Sequence, residues 1–122
     1  MSLQIPESDW RCFRQVREVL LERYCQQVLD ELSAVAKSTE GTSHQRYLQA
    51  YKLLQDRDDA LAGAFNDPRR STALTQLAIM REMELLTKKD LGVFSAQTQE
   101  QVRRFASSIS DEREGSENYM QE

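Results

Sequence analysis

Few residues in this chain have the types and spacing that catalysis or metal binding requires. The sequence has one histidine, His44, and two cysteines, Cys12 and Cys25. Zinc sites need clustered Cys and His, and carboxylate-bridged metal bundles need Glu-x-x-His, and the sequence contains neither pattern. It also lacks a glycine-rich phosphate loop and a G-x-S-x-G motif. We therefore expect no enzyme activity, no metal and no cofactor, with His44 as a solvated or capping residue.

The two cysteines give information about the redox compartment of the protein, not about a catalytic activity. Cys12 and Cys25 fall in one predicted helix, where 13 residues at about 1.5 Å each separate them by roughly 20 Å, too far for a disulfide. Free buried thiols are typical of a reducing compartment. The chain shows neither a signal-peptide pattern nor an apolar run long enough for a membrane span. We expect a cytoplasmic protein with no membrane partner.

The most site-like stretch is the turn before the third predicted helix. Asp67 is predicted to cap this helix and Pro68 to occupy its first position. Free N–H groups at helix N-termini bind anions. The side chains that could add donors, and so form a candidate anion-binding site, are Arg69, Arg70, Ser71 and Thr72. The alternative function is therefore a phosphate-ligand or nucleic-acid binder that uses Arg69 and Arg70.

The charge distribution argues against a nucleic-acid partner. The chain has 20 acidic and 16 basic residues, and the segment 111–122 holds five of the acids and one of the bases. Residues 1–110 therefore carry 15 charges of each sign and exert no general attraction on nucleic acid or anionic lipid. Asp67 would in addition already occupy the cap that an anion would need.

A single carboxylate interrupts an apolar stripe in the second predicted helix. Positions 47, 51, 54, 58, 61 and 65 are apolar except for Asp58. A carboxylate in a buried stripe needs a partner. Folding this helix back about residues 40–41 places Asp58 level with Arg23, so we predict a buried ion pair of Asp58 and Arg23. The other interpretation is that Asp58 lines a pocket.

The positions of apolar residues predict an all-α fold. Helix formers dominate, and the chain has only four Gly and two Pro. The predicted core is an antiparallel up-down-up arrangement of three helices followed by a short fourth, at residues 7–37, 43–65, 68–87 and 96–109. Thr42 or Ser43 should cap the second helix, and Thr87 and Asp90 should open one extra turn. One domain is expected at 1–110, with a disordered acidic tail at 111–122.

The same helix lengths leave the start of the first helix without a neighbour. Residues 7–14 are expected to project from the bundle and to expose Trp10 and Phe13, which form the candidate interface. A second copy is the simplest cover; a bend in the helix, or residues 1–5 folding back, are the alternatives. We therefore predict a non-catalytic helical interaction or assembly module, homodimeric or bound to another helical protein.

Overall fold

The protein is built from five helices. The computed structural model describes the backbone of residues 4–120 and the side chains of residues 4–109. In chain order the helices are α1 (Glu7–Lys37), α2 (Ser43–Phe65), α3 (Ala73–Glu82), α4 (Lys88–Leu91) and α5 (Ala96–Met120). The described residues contain no strand, which confirms the all-α class. The described backbone is helical to Met120, so the predictions of a fourth helix that ends at 109 and of a disordered tail from 111 do not match it. The predicted domain boundary at residue 110 stays a prediction.

α1 and α2 form a long antiparallel hairpin whose limits match the prediction. Gly41 takes a positive φ of 78° in the turn, a conformation that costs glycine little. The hydroxyl of Thr42 accepts from the backbone N–H of Gln45 at 3.1 Å, and the Gln45 side chain accepts from the N–H of Thr42 at 2.8 Å. This capping box satisfies N–H groups that have no partner inside the helix, so α2 begins directly after the turn.

Polar contacts across the hairpin show its register. The Tyr24 hydroxyl donates to the carbonyl oxygen of Arg57 at 2.8 Å. Nearer the open end, Arg17 donates to the carbonyl oxygen of Phe65 at 2.7 Å. The ion pair of Arg57 with Glu31, at 2.8 Å, joins the helices nearer the turn. The alignment agrees with a fold-back about residues 40–41, as the sequence predicts.

The third helix is shorter than predicted at both ends. The expectation that Asp67 caps it and that it spans residues 68–87 is wrong. Asp67 has a φ of 51°, whereas a capping residue is usually extended, and α3 begins only at Ala73. At the other end Glu84 has a φ of 61°, and the N–H of Leu85 bonds to the carbonyl of Met80 at 2.9 Å. This is the Schellman arrangement, here formed without glycine.

The chain after α3 returns to the start of α1. Thr87 and Asp90 form the predicted capping box, and α4 ends at Leu91 before Gly92. The Ser95 hydroxyl accepts from the N–H of Thr98 at 3.3 Å at the start of α5. Ser95 also contacts Asp9 of α1. The last helix therefore begins beside the N-terminal end of α1.

The hydrophobic core lies at the open end of the hairpin. α1 contributes its N-terminal two thirds, α2 contributes only its last turn, and α3, α4 and α5 complete the cluster. The largest fully buried side chains include Phe13, Leu20, Phe65, Leu77 and Val102. Among the helices in the described part of the chain, none combines the length and apolar character needed to cross a membrane.

Candidate functional site

The residues with catalytic potential do not meet. His44 is exposed in the first turn of α2, and its ring stacks on Tyr47 with centroids 6.5 Å apart. Cys12 and Cys25 are free and half-buried. The Cys12 thiol lies 3.7 Å from the carbonyl oxygen of Val93. Within the described residues, no group of three or more metal-ligating side chains is close enough to hold an ion.

The predicted anion-binding residues lie in the turn before α3 and mostly contact the protein itself. Arg69 forms an exposed ion pair with Asp67 at 2.9 Å. Arg70 donates to the carbonyl oxygen of Ile5 at 2.7 Å and pairs with Glu7 at 3.2 Å. Ser71 is exposed, and the Thr72 hydroxyl accepts from the N–H of Arg69 at 3.1 Å. The four residues precede the helix instead of forming its first turn, so the structure removes the geometric reason for an anion site there.

The predicted ion pair of Asp58 and Arg23 does not form. Asp58 is exposed on α2, whereas Arg23 bonds to Asp90 at 2.7 Å and to the carbonyl oxygen of Leu85 at 2.9 Å. The predicted level of Asp58 along the hairpin agrees with the register, but Arg23 bonds to Asp90 instead of to Asp58. Among the described side chains, Asp58 has no hydrogen-bond or ion-pair partner, whereas its neighbour Arg57 is paired with Glu31 across the seam.

Arg23 and Asp90 connect α1 to the short helix α4. Burial alone would raise the pKa of the Asp90 carboxyl group, but hydrogen bonds from Arg23 and from Thr87 outweigh this effect and hold the pKa below its ordinary value. The charged form of Asp90 therefore serves both as the capping-box residue of α4 and as the partner of Arg23. This pair is structural, because it anchors α4 to the hairpin.

The predicted interface at Trp10 and Phe13 is covered by the chain itself. Phe13 is fully buried, and Trp10 is half-buried and stacks on it with ring centroids 5.4 Å apart. Ile5 is also buried in the core, so the chain just before α1 folds back over this end. This fold-back was one of the alternatives to a dimer in the sequence analysis. The prediction that this end of α1 projects bare from the bundle is wrong, because the 93–98 segment packs beside it.

A buried carboxylate fixes that segment. Asp9 is 2% exposed and accepts bonds from the N–H of Ser95 at 2.9 Å, the Ser95 hydroxyl at 2.6 Å and the Thr98 hydroxyl at 2.6 Å. Burial raises the pKa of Asp9, but these hydrogen bonds outweigh it and the pKa lies below its ordinary value. All the contacts are internal, so the arrangement joins α1 to α5 and leaves no site for a ligand.

The opposite end of the hairpin has no core of its own. From Leu29 through the turn to Gly63, every residue is described, and none of them is buried. Leu32 and Leu61 are partly buried against the edge of the core, and the other side chains of this part are at most half-buried along the seam between the two helices. α3, which spans only ten residues, ends at Glu82. We refer to residues 29–63 as the outer hairpin. Helices normally bury their apolar stripe against another element, so this part of the protein lacks a neighbour.

One face of the outer hairpin carries the stripe that the sequence assigned to the core. It consists of Tyr47, Tyr51, Leu54, Asp58 and Leu61, which we call the α2 stripe. Tyr47 is 66% exposed, Tyr51 57% and Leu54 49%, and Leu29 of α1 beside them is 58% exposed. Exposed apolar side chains are ordinary when scattered, but a contiguous patch marks an interaction site.

The α2 stripe borders an apolar groove between the two helices. The groove has a volume of about 200 Å³, and its walls are almost entirely apolar. They are formed by Tyr24, Cys25, Val28, Leu29, Leu54, Arg57, Asp58 and Leu61. Asp58 therefore lines a pocket, as the second interpretation of the sequence proposed. The burial of Tyr24 raises the pKa of its hydroxyl, which donates to the carbonyl oxygen of Arg57 at the edge of this groove.

The spacing of the α2 stripe predicts that another helix packs against it. It does not show whether that helix belongs to the same chain or to another one. The steps from 47 to 65 alternate between four and three residues, which is the 3.5-residue repeat of helices that pack side by side. Within the described chain only the end of the repeat reaches the core: Phe65 is buried in it, and Leu61 is partly buried against it. Leu29 completes the patch from α1, and its place in a second apolar stripe at 21, 25 and 29 was the only sequence signal for it.

Comparisons with protein-family models, curated proteins and solved structures found no match for this chain.

Proposed function

We propose that this protein is a non-catalytic helical assembly module that associates with a second copy through the α2 stripe and the adjoining groove. One observation carries the proposal: the outer hairpin, from residue 29 to 63, has no buried side chain, although a regular apolar repeat runs along it. A cytoplasmic setting fits the two free thiols.

Packing energetics support an association at this surface. Burying a leucine or tyrosine side chain that is half exposed or more removes apolar area worth about 25 cal/mol per Å² from water. Two hairpins laid together would cover the stripe on both copies at once, because a two-fold interface uses the same patch twice. The result resembles a four-helix bundle, in which neighbouring helices share a 3.5-residue apolar repeat.

The experiment is a comparison of two single substitutions on opposite sides of α2. Leu54→Glu places a charge in the stripe, and Gln49→Glu places the same charge at an exposed position off the stripe. We expect light scattering behind size exclusion to give twice the chain mass for the wild type and for Gln49→Glu, and the chain mass for Leu54→Glu. Circular dichroism should show equal helicity in all three, since neither side chain belongs to the core.

Three results would count against this interface. A wild type that stays monomeric at about 100 µM would contradict the proposal. Equal dissociation by both substitutions would show that the added charge, and not the stripe, controls association. A dimer that survives Leu54→Glu would place the interface elsewhere on the molecule.

A further inference from the structure

The α2 stripe contains one feature that a plain apolar interface does not explain, the carboxylate of Asp58. It is exposed in the single chain and has no hydrogen-bond partner among the described side chains. A second copy that covered the stripe would bury this carboxylate, which is unfavourable unless the second copy also supplies a donor. The position of Asp58 therefore restricts how two copies can pack.

The orientation follows from charge. In a parallel two-fold pair, each stripe residue faces its own equivalent, so the two Asp58 carboxylates would meet in an apolar interface, where like charges repel strongly. In an antiparallel pair, Asp58 faces a different residue of the second copy. The antiparallel orientation is therefore the favourable one.

The register follows from the heptad spacing. Four antiparallel registers, one heptad apart, keep stripe positions in matched layers. One places Asp58 level with Glu40, before the start of α2, and two place it against Leu54 or Leu61, which have no donor. The fourth places Asp58 level with Tyr47, Tyr51 level with Leu54, and Leu61 level with His44. Only this register matches the carboxylate with a hydroxyl donor.

The groove beside Asp58 has the size that this register requires. An engineered apolar cavity of about 150 Å³ in another protein binds benzene, so the groove of about 200 Å³ can take the ring of a tyrosine. A Tyr47 ring that enters between Cys25, Leu29 and Leu61 has its hydroxyl at the level of Asp58. The ring of His44, which stacks on Tyr47, adds a further N–H donor near the carboxylate.

We infer that two copies associate antiparallel through α2, with Tyr47 of each copy inserted in the Cys25–Leu29–Leu61 groove of the other and its hydroxyl bonded to Asp58. This inference rests on the proposed function and specifies its geometry. The acidic segment 111–122, with five acids and one base, is the less favourable occupant of the same groove, because Asp58 and its neighbours Asp56 and Asp59 would repel it.

Site-specific cross-linking tests the register. In a Cys12→Ala/Cys25→Ala background shown by light scattering to remain dimeric, one chain carries Tyr47→Cys and the other Asp58→Cys. Mixed and oxidised, they should form a covalent heterodimer, because the two positions face each other. Each variant alone should stay uncross-linked, since 11 residues at about 1.5 Å separate equivalent positions by roughly 16 Å. Gln49→Cys mixed with Asp58→Cys is the matched control and should not cross-link.

A second measurement tests the hydroxyl contact in chains without added cysteines. Tyr47→Phe should weaken the dimer at least tenfold, whereas in an Asp58→Ala background the same change should have little further effect. Equal weakening in both backgrounds would overturn the contact.

The outcomes separate this inference from the proposed function. A dimer that cross-links from Asp58→Cys alone would bring the two Asp58 positions together, and a dimer without the mixed cross-link would have another register; both overturn the inference and leave the assembly module intact. A monomeric wild type overturns both.

Discussion

The carboxylate of Asp9 accepts two hydrogen bonds from Ser95, one from its backbone N–H at 2.9 Å and one from its hydroxyl at 2.6 Å, across 86 residues of sequence. Thr98 donates a third. The bonds tie the first turn of α1 to the start of α5, and they place a negative charge where the free N–H groups of α5 favour it. They explain why the last helix returns to the beginning of the first.

We expect Asp9→Asn to lower the free energy of unfolding by about 1.5–3 kcal/mol at neutral pH, the range for hydrogen bonds to a charged group. Asparagine keeps the shape of the side chain but loses the charge and one acceptor oxygen. Urea unfolding measures the change. Glu22→Gln, which removes an exposed carboxylate from the same helix, is the control and should change it little. An Asp9→Asn protein as stable as the wild type would show that the three bonds contribute nothing net.

The pH dependence of the same residue has a definite sign. Because the pKa of Asp9 is lower in the folded than in the unfolded protein, its contribution is fully present above the ordinary aspartate pKa of about 3.9. The contribution is lost as the pH falls through the lower, folded-state pKa. The difference in stability between wild type and Asp9→Asn should therefore be constant from pH 5 to 8 and shrink below about pH 4. A difference that grows on acidification would contradict the assignment.

Phe13→Ala should cost about 3–5 kcal/mol of stability, because Phe13 is fully buried and its removal leaves a cavity. The change should shift the urea midpoint without selectively weakening self-association. Trp10→Ala, at a half-buried position, should cost less. If Phe13→Ala kept the wild-type midpoint and dissociated the dimer, the interface would lie at this end of α1 after all.

Asp90→Ala should destabilise the protein by about 1–3 kcal/mol, since it removes both the capping-box acceptor of α4 and the partner of Arg23. Asp58→Ala, measured at a concentration low enough to dissociate any dimer, should change stability by less than about 0.5 kcal/mol, because Asp58 is exposed. Thermal unfolding of both variants at matched concentration checks the contrast. A larger loss for Asp58→Ala would mean that it has an internal partner.

Local signals in the sequence were sufficient for the parts of the fold that short-range chemistry controls. The glycine turn and the Thr42–Gln45 box define the hairpin, and the Thr87–Asp90 box defines α4, because a cap needs only neighbours three residues apart. The ends of α3 were not predictable in this way. Asp67 and Glu84 adopt positive φ values, which neither residue type predicts. They lie outside the two ends of α3, which is therefore shorter than predicted.

The candidate site shows the same division. The sequence by itself determined that α2 carries a 3.5-residue apolar repeat interrupted by Asp58, since residue types and spacing are properties of the chain. It also determined that Asp58 lies level with Arg23, because helix rise and turn position suffice for that. Only the tertiary structure decided that Arg23 contacts Asp90 instead, that Phe13 is covered, and that the stripe is left bare. The physical reason is that burial depends on which distant segments pack against a face, and here Asp9 and Ser95 bring α5 to the open end of the hairpin and away from its turn.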